Sequence, residues 1–142
     1  RSLRDGGFRA YCTAMTSRDL TDLAERVRAF RDARDWARFH TPKDLAVSIA
    51  LEAAEVLEHF QWKDDAAAAA HVADPAGREA LSHEMADVLL LLLGLADVTG
   101  VDLLDAAYAK LELNAAKYPV ERARGSAVKY DAPPQPPSQS GE

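Results

Sequence analysis

Two short acidic patterns carry the chemistry of this chain: Glu52-Ala53-Ala54-Glu55 and Glu84-Met85-Ala86-Asp87, with 28 residues between them. On a helix, carboxylates at i and i+3 lie on one face, close enough to share an ion. Which face they occupy is the informative point. At about 100° per residue, Glu52 falls among Leu45, Ile49 and Val56, and Glu84 aligns with Val88, Leu91 and Leu95. The acids stand where leucines are expected. Carboxylates gathered in an apolar setting repel one another and lose hydration, at a cost on the order of several kcal/mol per unpaired ion. They must be protonated, paired with bases or bound to cations. An all-carboxylate donor set suits hard ions, Mg²⁺ with Mn²⁺ as a substitute, and suits zinc poorly. Such an ion neutralises a phosphate chain, polarises the phosphorus under attack and acidifies a bound water, while a spare carboxylate takes the water's proton. The competing reading makes the four acids surface ion pairs. A single i, i+3 pair would favour it; two pairs, both in the apolar stripe, favour the metal.

Other metal chemistries fit less well. His83-Glu84-Met85-Ala86-Asp87 begins like a zinc-protease helix but puts Asp87 where that motif needs a second histidine. Carboxylate-bridged di-iron bundles require Glu-x-x-His, whereas His59 follows Glu55, and His83 follows Glu79, by four residues. His40, His59, His71 and His83 are by default surface or hydrogen-bonded residues. No Gly-rich phosphate loop occurs, so metal and side chains are left to hold phosphates.

The elements that must position the acids read as helices. Leu20, Leu23, Val27 and Phe30 form one amphipathic stripe, with Thr16-x-x-Asp19 as its cap. Thr41-Pro42-Lys43-Asp44 combines a threonine N-cap, proline at the first helical position and an acid at N3, opening a second helix expected to reach about Trp62. The alanine-rich stretch from Asp64 to Ala70 reads as a short helix or linker. Asp74-Pro75 opens a third long helix that ends near Gly100, and Asp102 with Asp105 opens a fourth that Pro119 stops. Without strand alternation or Asn-Gly turns, the fold class expected is all-α, an antiparallel four-helix-bundle-like protomer. Val88 to Leu93 is apolar around the whole helix, more than a protomer this small can cover, so an oligomer is expected.

Composition sets the bounds. A chain of 142 residues with 48% apolar and 28% charged residues is one ordinary globular domain. A net charge of −6 argues against a nucleic-acid polymer as partner, which needs a basic face. The longest apolar run, Val88 to Ala96, is short of the roughly 20 residues of a membrane span. Cys12 is the single cysteine, which excludes an intrachain disulfide and suggests a reducing, cytoplasmic compartment. Residues 1–15 are expected to be a disordered extension or tag remnant, with Met15 as a natural start; 16–130 form the domain, and the Pro-rich segment 131–142 a flexible tail.

The combined pattern resembles the MazG-like superfamily of all-alpha nucleotide pyrophosphohydrolases, and within it the dCTP pyrophosphatase branch. The similarity covers about residues 20 to 130. It rests on the two acid pairs with Phe30-x5-Trp36-x-x-Phe39-His40, Leu57-Glu58-His59-Phe60-Gln61-Trp62-Lys63, Asn114-x-x-Lys117-Tyr118-Pro119-Val120 and Arg124-Gly125-Ser126-Ala127-x-Lys129-Tyr130. The resemblance implies a homotetramer, Mg²⁺, and hydrolysis of surplus or non-canonical deoxynucleoside triphosphates, especially cytosine ones, to monophosphate and pyrophosphate. It assigns the metal to Glu52, Glu55, Glu84 and Asp87. It places phosphate or sugar contacts at Asn114, Lys117 and Tyr118, and further phosphate ligands at Arg124 and Lys129. Lys117 stands where some relatives have arginine, leaving a point charge in place of a bidentate fork. Trp36 and Trp62 are candidates for stacking on the base, and His40 for its polar edge. Other members would act on dUTP or phosphoribosyl-ATP; the reading from another class is a non-catalytic helical oligomerisation module.

Overall fold

The computed structural model describes residues 19–131, and every regular element among them is helical. The expected extension 1–15, the proposed cap Thr16 and all of the tail except Asp131 lie outside the described residues. The elements are α1 (Leu20–Asp32), a 3-10 turn (Ala37–Phe39), α2 (Pro42–Glu58), α3 (Asp65–Ala73), α4 (Pro75–Thr99), α5 (Leu103–Lys117) and α6 (Val120–Ala123). They divide into two compact units, one ending at Thr99 and one starting at Gly100.

The helix starts follow their local chemistry. Thr41 Oγ1 accepts the Asp44 amide at 3.2 Å and donates to the Asp44 carboxylate at 2.6 Å. Its hydroxyl is the main reason, with Lys43 beside it, that the Asp44 carboxyl sits below its ordinary range. Asp64 and Asp102 cap α3 and α5 by accepting the amides of Ala67 and Asp105, and Asp74 accepts the Gly77 amide at the start of α4. Helix α1 is capped by Asp19, which accepts the Asp22 amide at 2.9 Å, so the start lies one turn later than Thr16 would set it. Helix α4 gives way to Gly100 at φ +70°, the left-handed position that ends helices most cheaply.

Helix α2 stops at Glu58, one turn short of the expected Trp62. The amides of Phe60 and Gln61 both fall on the Leu57 carbonyl at 3.0 Å, tightening the last turn, and Trp62 then takes φ +63°. A bulky residue with positive φ cannot continue a right-handed helix.

In the first unit α4 is the central helix, packed against α2, α1 and α3. A Cβ on Gly94 would stand 3.7 Å from Leu45 Cδ2, while Glu52 and Glu55 meet Glu84 toward the other end. Helices α2 and α4 are therefore antiparallel. Leu45 (3% exposed) and Leu93 (6%) are the buried apolar side chains among the described residues. The α1 stripe of Leu23, Val27 and Phe30 faces a cleft rather than a filled core. In the second unit, the segment after α6 folds back on the end of α5: the Tyr118 and Tyr130 rings meet edge-on at 5.7 Å, and Lys117 Nζ lies 5.2 Å above the Tyr130 ring.

Candidate active site

Antiparallel pairing of α2 with α4 places the two acid pairs against each other. Carboxylate oxygens of Glu52, Glu55 and Glu84 lie within 4.8 Å of one another; Glu52 and Glu84 are half-buried and Glu55 is exposed. Asp87 falls outside this triplet but acts on it, since its charge is among those that shift Glu52. The Glu52 carboxyl is held above its ordinary range, first by loss of solvent, then by repulsion from Glu55, Asp87 and Glu84. Among the described residues none of the four has a lysine, arginine or histidine as ion-pair partner, and every recorded ion pair lies elsewhere. That removes the support for the ion-pair reading. Unpaired oxygen donors this close fit a hard divalent cation.

Beside the triplet opens a cleft of about 470 Å³ walled by α1, the two residues flanking the 3-10 turn, α2 and α4. Glu52 and Asp87 line it, together with Trp36, His40, Leu45, Leu90, Leu91 and Gly94. Trp36 is brought there by the end of α1. Its amide donates to the Arg31 carbonyl, that of Asp35 donates to the Asp32 carbonyl, and Asp35 takes φ +53° between them. This is a Schellman closure with aspartate in the position glycine usually fills. Trp36 packs edge-on against Phe30 at 5.9 Å and tilts toward His40 at 6.3 Å. Gly94 keeps the α4 wall thin where Leu45 approaches.

Of the residues singled out from the sequence, the structure thus gathers Glu52, Glu55, Glu84, Asp87, Trp36 and His40 in one region. Trp62 does not line the cleft; it is 94% exposed on the turn after α2. Asn114, Lys117 and Tyr118 sit at the end of α5, Arg124 just after α6, and Lys129, 3.5 Å from Asp131, on the segment that folds back. All five are exposed. Sequence reasoning missed Arg26 and Arg31, which also line the cleft, and Asp97, which holds Arg31. The available signal was Asp97 itself, a charge closing the apolar run of α4.

The chain's similarities accord with this arrangement. Residues 47–132 match the MazG-like family. Rat dCTP pyrophosphatase 1 is 40% identical over 111 residues, 78% of this chain and 65% of that protein. The human dCTP pyrophosphatase 1 is 38% identical over 111 residues, with 78% of this chain and 65% of that protein covered. The match thus spans just under two thirds of these relatives' length. A crystal structure of a pyrophosphatase from Archaeoglobus fulgidus DSM 4304 superposes with a TM-score of 0.64 at 42% identity, covering 70% of this chain and 91% of that one.

Proposed function

This chain belongs to the MazG-like family, and from that premise we propose that it hydrolyses nucleoside triphosphates, dCTP or a modified dCTP foremost, to the monophosphate and pyrophosphate. The observation that carries the proposal is the convergence of Glu52, Glu55 and Glu84 within 4.8 Å, without a basic ion-pair partner among the described residues and beside a cleft lined by an aromatic ring and a histidine. Mg²⁺, held by these three acids with Asp87, would supply charge neutralisation on the phosphates and an acidified water. The chain's own groups do the rest. A carboxylate of the cluster not engaged by the ion accepts the proton of the water that attacks the α-phosphorus. Trp36 offers a flat face to the base, and His40 a hydrogen bond to its edge.

Lys117, Arg124 and Lys129 are assigned to the phosphates, and Asn114 and Tyr118 to phosphate or sugar. Their exposed cations suit a tetraanionic ligand, and their motifs match the resemblance drawn from the sequence. Trp62 is assigned a stacking role. Its indole is almost wholly exposed on a backbone with φ +63°, a conformation that costs on the order of 1–3 kcal/mol and clusters at binding sites. The proposal includes a homotetramer, because α2 and α4 leave Val47, Leu51, Leu57, Met85 and Leu89 exposed. Among the described residues no helix is long and apolar enough to cross a membrane; a cytoplasmic location is proposed with it, and cell fractionation checks that.

The test is a panel of triphosphates assayed for products in Mg²⁺. With dCTP, dCMP and pyrophosphate should appear in equal amounts, and chelation should stop the reaction. Initial release of dCDP and phosphate would contradict attack at the α-phosphorus. Preference for dUTP or phosphoribosyl-ATP would move the substrate within the family, and inertness to the whole panel would support a non-catalytic module.

A further inference from the structure

Helix α1 forms one wall of the cleft, contributing Leu23, Val27, Phe30 and Arg31. Apolar packing holds this wall loosely, since no residue of α1 is buried. What ties it to α4 is a charge clamp. Asp97, on the last turns of α4, accepts Arg28 Nε at 2.8 Å and Arg28 Nη2 at 2.6 Å on one carboxylate oxygen, and Arg31 Nη1 at 2.7 Å on the other. Arg31 Nε is bound in turn to Asp32 at 2.8 Å. The Arg31 and Asp97 side chains are 13% and 20% exposed, whereas each other ion pair among the described residues has at least one half-exposed partner. Arg28 is the outer arm, half-exposed and outside the cleft lining. Together the two arginines, Arg28 foremost, hold the Asp97 carboxyl below its ordinary range.

Position along α4 gives the clamp its meaning. Asp97 lies ten residues beyond Asp87, about 15 Å along the helix axis. That is on the order of the length of an extended nucleotide. With phosphates at the acids, the base would reach toward Leu91, Gly94 and Arg31, the part of the lining nearest the clamp. We infer that Asp97 is a positioning residue: through Arg31 it fixes the α1 wall of the cleft, and so the space open to the nucleobase, without touching the phosphates or the metal site. The inference rests on the function proposed above.

The discriminating variants are Asp97→Asn, which keeps shape but removes the charge both arginines share, and Arg31→Lys, which keeps charge but loses the two-sided fork. Each should raise KM for dCTP about tenfold while kcat stays within about twofold, because base placement is disturbed and the reacting phosphorus is not. The Mg²⁺ concentration for half-maximal activity should not move. The double variant R31K/D97N should fall short of the sum of the two single effects, since both break the contact between Arg31 and Asp97. Asp97→Glu should restore part of the lost affinity. A D97N protein that melts lower but keeps the wild-type KM would overturn the inference, as would additive effects in the double variant. If D97N fails to fold, R31K decides, and an unchanged KM there overturns it. A wild type inert to every triphosphate would instead overturn the functional proposal itself and the clamp's role with it, an outcome distinct from failure of the clamp alone.

Discussion

At the scale of single residues, the acids either bind a metal or only share a helix face. Glu55 and Glu58 separate the two. Replacing Glu55 with Gln preserves size and hydrogen-bonding reach but removes a ligand charge from the triplet. Activity should fall by at least about 10²-fold, since the charge stabilisation a metal supplies is worth several kcal/mol. In the absence of metal the variant should melt no lower than wild type, because the charge removed is one of those raising Glu52. Glu58 lies about 60° further round α2, outside the triplet, and Glu58→Gln should cost much less. In the same assay Lys117→Ala should act mainly on KM, as a lost phosphate contact would. Equal losses at Glu55 and Glu58 would show that the ligand set is misassigned. These acids were legible from sequence because helical phase is local: carboxylates in a leucine stripe need no tertiary information to look out of place. Asp97 was not, because Arg28 and Arg31 reach it across 69 and 66 residues of chain, and an arginine on a helix otherwise reads as solvated.

Among the elements, capping chemistry announced the starts of α2, α4 and α5, since a cap involves residues three apart and little else. Ends were harder. The left-handed residues Asp35 and Trp62 set where α1 and α2 turn, and neither is a glycine or asparagine that would have marked the turn. The Trp36 side of the cleft was therefore visible only as a motif, not as a wall. The apolar circumference of α4 was legible and has a consequence. Leu93 is buried while Leu89 and Met85 remain exposed one turn apart, and α2 exposes Val47 and Leu51 one turn apart, with Leu57 nearer its end. Apolar surface of this extent on two long helices is covered by other copies of the chain in our proposal. Light scattering at micromolar concentration should report several times the 15.4 kDa chain mass. A stable monomer would refute the tetramer and leave the cleft of one protomer to do all the binding.

For the whole molecule, the two readings of the acid cluster differ in what stabilises the folded state. If Glu52, Glu55, Glu84 and Asp87 form a metal site, the metal-free protein carries an uncompensated cost: the Glu52 carboxyl is raised first by loss of solvent and then by repulsion from the other three acids. If they were structural, the fold would be indifferent to divalent ions. A net charge of −6 adds to the repulsion a polyanionic nucleotide must overcome without a cation. The most direct measurement is a thermal melt of the full chain with Mg²⁺, with a dCTP analogue whose α,β-bridge cannot be hydrolysed, and with both together. The account predicts a cooperative rise in melting temperature when both are present, amounting to about 2.7 kcal/mol at a hundredfold excess over Kd, and little from the analogue alone. A melting temperature that ignores Mg²⁺ and nucleotide in every combination would contradict it.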